Sequence, residues 1–145
     1  SKDINLDKIK RIKDSKTETA RAFMDTGILT SRISSSLANR LGYLKATKDF
    51  RNLNIPEQLS SFKEAQEYID KYEKEIQGHP DIKRLAKILE DGEIKIRPVF
   101  EIVVKLSNTT KIVEFVSTDA QDSIYPVVIG RSELSGYLID TSNTF

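Results

Sequence analysis

Asp25-Thr26-Gly27 closes the apolar stretch Ala22-Phe23-Met24, and Val127-Val128-Ile129-Gly130-Arg131 forms a second apolar stretch ending in glycine. A carboxylate at the end of a strand can activate water for hydrolysis, but not alone. One group must take a proton from water while another gives one to the carbonyl oxygen. Two aspartates about 3 Å apart do this with one shared proton, because like charges that close cannot both ionise. Their titration then belongs to the pair. Thr26 brings a hydroxyl and a stiff β-branched side chain to hold the loop. Gly27 lets the backbone turn tightly beside a substrate. The chain holds a single Asp-Thr-Gly. If Asp25 is catalytic, its partner carboxylate comes from a second copy, and the smallest working unit is a symmetric homodimer.

The elements around these residues read mainly as strands. Residues 3–13 alternate Ile4, Leu6, Ile9 and Ile12 with charged residues, and Asp14 to Thr17 is a turn. Thr19 to Met24 runs as a second strand that delivers Asp25 to its loop. Ser34 to Gly42 reads as a short helix, capped by serine and ended by Gly42 in a left-handed conformation. Residues 56–91 read as a helical insert. Pro56 opens a first helix, with Leu59, Phe62, Ile69, Tyr72 and Ile76 at helical spacing. Gly78-His79-Pro80 breaks it, and a second helix runs from Asp81 to Glu90. From Glu93 alternation returns, with a turn over residues 107–110 and a return strand over residues 111–116. Val127 to Ile129 is wholly apolar, as in a strand buried on both faces. Tyr137 to Asp140 closes the sheet. The expected fold is mainly β, α+β by content, in one domain of 145 residues.

Composition narrows the chemistry. The net charge is +1, which gives no strong pull towards nucleic acid or an anionic membrane. There is no cysteine, so thiolate chemistry and disulfides are excluded. One histidine and no cysteine do not make a zinc site, which needs three or four converging ligands. No metal and no cofactor is expected. His79 reads as a solvated turn residue, and Arg131 as a brace for the sheet or dimer. Glu64, Glu67, Asp70 and Glu73 read as a solvated helix face with lysine partners. The sequence shows no signal-peptide core and no apolar run of membrane-spanning length, so a cytoplasmic location is favoured.

Residues 22–27, the helix over 34–42 and residues 127–131, taken in that order, resemble the retropepsin-like aspartic protease family. Residues 125–134 and 137–140, with Arg97-Pro98-Val99, are closer still to a bacterial and archaeal branch labelled putative ATP-dependent zinc protease and found near RimK-type ligases. The resemblance covers roughly residues 19–43 and 97–145. It implies a pepsin-like, closed β-barrel half and an aspartic endopeptidase working as a homodimer on a peptide or protein substrate. Asp25 is then the catalytic residue, Thr26, Gly27 and Ile28 the active-site loop, and Val128, Ile129, Gly130 and Arg131 the supporting segment behind it. There are departures. The family usually has alanine where this chain has Ile28, and viral members have an aspartate at the position of Leu29. No glycine lies between Gly42 and Gly78, so a glycine-rich flap is not evident and its region reads as helical. The alternative is a catalytically inactive peptide-binding or dimerisation module on the same fold.

Overall fold

Ten alternating residues at the start of the chain do form a strand, β1 (Lys2–Arg11), in a computed structural model that describes residues 2–106, 108–119 and 125–131. The elements that follow are β2 (Glu18–Asp25), β3 (Ser31–Ser34), α1 (Ser35–Ala38), a π-helical turn (Asn39–Tyr43), α2 (Leu44–Arg51), α3 (Phe62–Ile76), β4 (Arg84–Glu90), β5 (Glu93–Leu106), β6 (Thr109–Thr118) and β7 (Val127–Gly130). The protein is mainly β, with helices inserted between β3 and β4. Tyr137 to Asp140 lies outside the described residues.

All seven strands belong to one sheet, in the order β1-β2-β7-β3-β6-β5-β4, and β1 also pairs with β5. That extra pairing closes six strands into a ring and leaves β4 on its edge. A bulge in β1 makes closure possible. The register to β2 slips between Leu6, opposite Ala20, and Ile9, opposite Glu18. Bulges bend a strand and add twist. Here the bend turns both Leu6 and Ile9 inward despite their odd spacing, each 0% exposed. It also brings Ile9 to Arg11 against Val104 to Ile102 of β5. The ring is filled by Leu6, Ile9, Ile33, Leu37, Phe100, Ile102, Phe115, Val127 and Ile129 among others. Each large apolar side chain buried this way contributes about 1.5–3 kcal/mol before chain entropy is subtracted.

The insert differs from the expected pair of helices. Its first helix begins at Phe62 rather than Pro56, because Ser61 accepts from Glu64 N–H and Glu64 reaches back to Ser60 N–H. This reciprocal capping is a stronger start than a proline. Residues 54–61 form no helix, and Leu59 N–H donates to Ile94 C=O of β5. The expected second helix, Asp81 to Glu90, is instead the strand β4. It forms a hairpin with β5 through Asp91 (φ 52°) and Gly92 (φ 77°). Positive φ at both central residues defines the tight turn that matches strand twist. Ala86 and Ile88 bury against Val99 and Val116 on one face of the hairpin, while Leu85 joins the main core on the other. Of the acidic residues of α3, Glu64 accepts from Ser60, Asp70 from the Gln66 amide and Glu73 from Leu85 N–H. None of them pairs with a lysine among the described residues.

Gly42 has the expected positive φ, +115°, but the chain does not stop there; α2 follows at once. A Cβ at Gly42 would stand 2.7 Å from Asp14 Oδ2 and 3.1 Å from Arg11 Cδ. Those atoms are fixed, because Arg11 holds Asp81 through two N–H groups at 3.0 Å and Asp14 through a third at 3.1 Å. Burial opposes the Arg11 charge, yet the bonds and charges of Asp81 and Asp14 outweigh it and raise its pKa. Gly42→Ala is expected to lower stability by about 1–3 kcal/mol through backbone strain and this clash. Urea denaturation followed by circular dichroism measures it.

His79 is not a solvated residue. Its ring Nε2 lies 2.8 Å from Asp49 Oδ2, and Nδ1 accepts N–H bonds from Asp81 at 3.0 Å and Ile82 at 3.1 Å. It therefore ties α2 to the turn that leads into β4. Asp49 sits below its ordinary carboxylate value, held there by Lys45 first and His79 second. His79→Ala leaves two N–H groups without their acceptor, and a loss of about 1–3 kcal/mol is expected. Thermal unfolding measures this, and His79→Asn should recover part of the loss.

Candidate active site

The site is built by three strands that cross beneath one loop. β7 lies between β2, with which it runs parallel, and β3, with which it runs antiparallel. The register sets Asp25 opposite Gly130 and Met24 opposite Ile129. Asp25 thus ends β2 at the point where β7 also ends. Its loop, residues 26–30, then passes over Gly130 and returns as β3.

Short contacts fix that loop. Gly27 N–H donates to Asp25 Oδ1 at 2.8 Å. Arg131 N–H donates to Ile28 C=O at 2.7 Å, and Gly130 N–H to the buried Ser31 hydroxyl at 3.0 Å. The loop therefore rests on the backbone of residues 130 and 131 at both its middle and its end. The fit leaves no room for a side chain at position 130. A Cβ there would lie 2.7 Å from Leu29 O and 2.7 Å from the Thr30 carbonyl carbon. This is the reason for glycine at the end of β7.

The structure brings the expected residues together. Asp25, Thr26, Gly27 and Ile28 form the loop; Ile129 and Gly130 are buried behind it, and Val128 is half-buried. Asp25 and Ile28 are half-buried, whereas Thr26, Gly27 and Leu29 face outward. Leu29 is 58% exposed, the largest apolar exposure near the loop. Arg131 engages the loop through its backbone, and its side chain is exposed. Among the described residues no group of three or more His, Asp or Glu side chains converges as a metal site. No helix of those residues is long and apolar enough to cross a membrane.

Two features of the surrounding sheet were not expected. The first is the β4–β5 hairpin, which stands where a helix was expected and reaches β3: Arg32 Nη1 donates to Leu89 C=O at 3.2 Å. The second is Arg97, only 5% exposed, which links three parts of the chain. It meets Glu90 of β4 at 3.3 Å, Asp119 beyond β6 at 3.0 Å and Glu57 of the insert at 3.8 Å. Lys95 joins through Glu90 at 3.3 Å. Only the Arg97–Glu90 pair is buried, and such a pair adds little net stability when intact but is costly to break by removing one member. Arg97→Met is expected to cost about 1–3 kcal/mol, because Glu90 keeps Lys95 at 3.3 Å. The loss should be localised: hydrogen exchange in β4 and the first half of β5 should rise more than in β1 or β2.

No family model matches the chain. No curated protein matches it either. Among solved structures it is similar to the crystal structure of a Legionella pneumophila protein of unknown function (DUF785), at 12% identity over 92% of this chain and 85% of that one, with a TM-score of 0.41. A likeness of that size carries no functional argument, and the chemistry rests on the residues themselves.

Proposed function

We propose that the chain is an aspartic endopeptidase of the retropepsin-like kind that works as a homodimer. The observation that carries this reading is the crossing of Asp25 and Gly130: a carboxylate at a strand end, on a loop locked against the end of a second apolar strand. Such a lock matters because a carboxylate must be held within a fraction of an ångström of its reacting partner. The Gly27 N–H on Oδ1 fixes the orientation of the carboxylate and leaves Oδ2 free for water. The mainly β ring, with β2 and β3 on either side of β7, supports a pepsin-like half, and the retropepsin-like branch near RimK-type ligases is the family proposed.

In the proposed mechanism, Asp25 from each subunit meets its mate across the two-fold axis. One is ionised and takes a proton from water; the other is protonated and gives its proton to the peptide carbonyl oxygen. The tetrahedral intermediate collapses as a proton passes to the leaving amine, and the pair is reset. The exposed loop, with Thr26, Gly27 and Leu29 outward, is the surface left for the second subunit. Ile28 lines the proposed cleft, and the β4–β5 hairpin, tied to β3 through Arg32, is the element proposed to cover it. No cofactor enters the scheme. Sedimentation of the purified chain beside cleavage of a random peptide library tests the reading: a dimer that cleaves supports it, and a monomer that cleaves would falsify it.

A further inference from the structure

Three groups on one edge of β4 have their own hydrogen-bonding logic. In the β4–β5 hairpin the tight turn makes Glu90 and Glu93 a hydrogen-bonded pair. Alternation then turns the N–H and C=O groups of Leu85, Lys87 and Leu89 away from β5. Two bonds agree with that assignment. Leu85 N–H donates to Glu73 of α3 at 3.4 Å, and Leu89 C=O accepts from Arg32 at 3.2 Å. Pro98, which has no N–H, stands opposite Leu85, where the pairing needs none. Both ends of the edge are thus occupied by side chains. The middle is not: Lys87 N–H and C=O have no partner among the described residues.

Open space lies along that middle. A cavity of about 340 Å³ runs beside residues 84–88 and is closed on its other sides by Gln66, Ile69 and Glu73 of α3 and by Thr30. Gln66 holds the Lys87 ammonium at 2.7 Å, so the side chain is drawn to the helix while the backbone stays open. The volume is at the lower end of ligand-binding pockets. An unpaired donor and acceptor on one strand residue, spaced as in a ladder, are matched by another strand. Thr30, the last residue of the Asp25 loop, is part of the groove's lining.

We infer that an extended peptide segment binds along the free edge of β4, in the groove walled by α3, by pairing its backbone with Lys87. The helical insert then has a role in substrate binding, as the outer wall of the groove. The inference rests on the protease reading only for the fate of the bound peptide.

The test uses the isotope-labelled full chain carrying Asp25→Asn, which keeps a peptide intact. The probes are a random heptapeptide mixture and the same mixture with N-methylated backbones. Amide signals of Leu85, Lys87, Leu89 and Thr30 should shift with the first and not with the second. Lys87→Pro, tolerated on an edge whose N–H points outward, should weaken apparent affinity about tenfold or more, whereas Lys87→Ala should change it less than about threefold. Gln66→Trp fills the groove from the helix side and should give the same loss if Lys87→Pro disturbs the fold. No shift at these amides, equal shifts with the N-methylated mixture, or undiminished binding by both blocking variants overturns the inference. Cleavage by the wild type without these shifts removes the groove and leaves the protease reading standing. Shifts without any wild-type cleavage do the reverse.

Discussion

Asp25→Asn is expected to abolish peptide cleavage while leaving the fold unchanged. Asparagine keeps an oxygen where Oδ1 now accepts the Gly27 N–H at 2.8 Å, so the loop keeps its bond. What it loses is the capacity to take and return a proton. General acid–base work of this kind is worth about 10²–10⁴-fold in rate. In a dimer the substitution removes both proton-handling groups at once, so a loss at the upper end or beyond is expected. Mass spectrometry of a peptide library, sampled from acid to neutral pH, reads the loss. Thermal unfolding should show no change of more than a degree or so, since a surface substitution that keeps its bonds stays within about 0.5 kcal/mol. Wild-type chain that cleaves nothing across that range would sink the protease reading and leave the inactive module. Equal cleavage by wild type and Asp25→Asn would show that another group does the chemistry.

Gly130→Ala should damage both stability and activity. The added methyl would meet Leu29 O and the Thr30 carbonyl carbon, both at 2.7 Å, and the Leu29 carbonyl carbon at 2.9 Å. These are backbone atoms, and no rotamer change relieves the contact. Either the loop lifts or β7 retreats, and the bonds from Gly130 N–H to Ser31 and from Arg131 N–H to Ile28 stretch with it. Overpacking of this sort costs about 1–3 kcal/mol, or roughly 3–10 °C in Tm for a chain of this size. The shift also moves Asp25, which lies opposite Gly130. A displacement of about 1 Å costs on the order of 10²-fold in rate. Gly27→Ala is the informative comparison. Its Cβ would meet only Asp25 Oδ1, at 3.1 Å, and that atom belongs to a side chain that can turn. A smaller stability loss is expected there. Equal Tm shifts for the two variants would show that the loop is not seated on Gly130 as described.

The core of the candidate site was legible because its parts are local. Two apolar strands, one ending in Asp25 and one in Gly130, announce themselves by composition, and that they meet is what the family resemblance implies. The insert was misread where two periodicities compete. Ile82, Leu85 and Leu89 happen to fall at helical spacing, but the residues buried in the structure include Leu85, Ala86 and Ile88, and Leu89 is 54% exposed. The decisive local signal was Asp91-Gly92, which favours a hairpin turn over a helix end when apolar runs flank it on both sides. The cap that starts the helix is Ser61 with Glu64, five and eight residues beyond Pro56. Other features had no local signal at all. Arg97 gathers Glu57, Glu90 and Asp119, and His79 finds Asp49; each partnership exists only after the ring has closed.

The strand order has a kinetic side. β2 finds β7 about a hundred residues further along the chain, and β1 reaches β5 over a similar span. Chains whose contacts join such distant segments fold slowly, because loop entropy is lost before the contact forms. During synthesis Asp25 emerges about a hundred residues before Gly130, and its loop has no seat until residues 127–130 have been made. If the protease reading holds, a chain cut before residue 127 carries the carboxylate but not its seat, and cleavage waits on the pairing of β2 with β7.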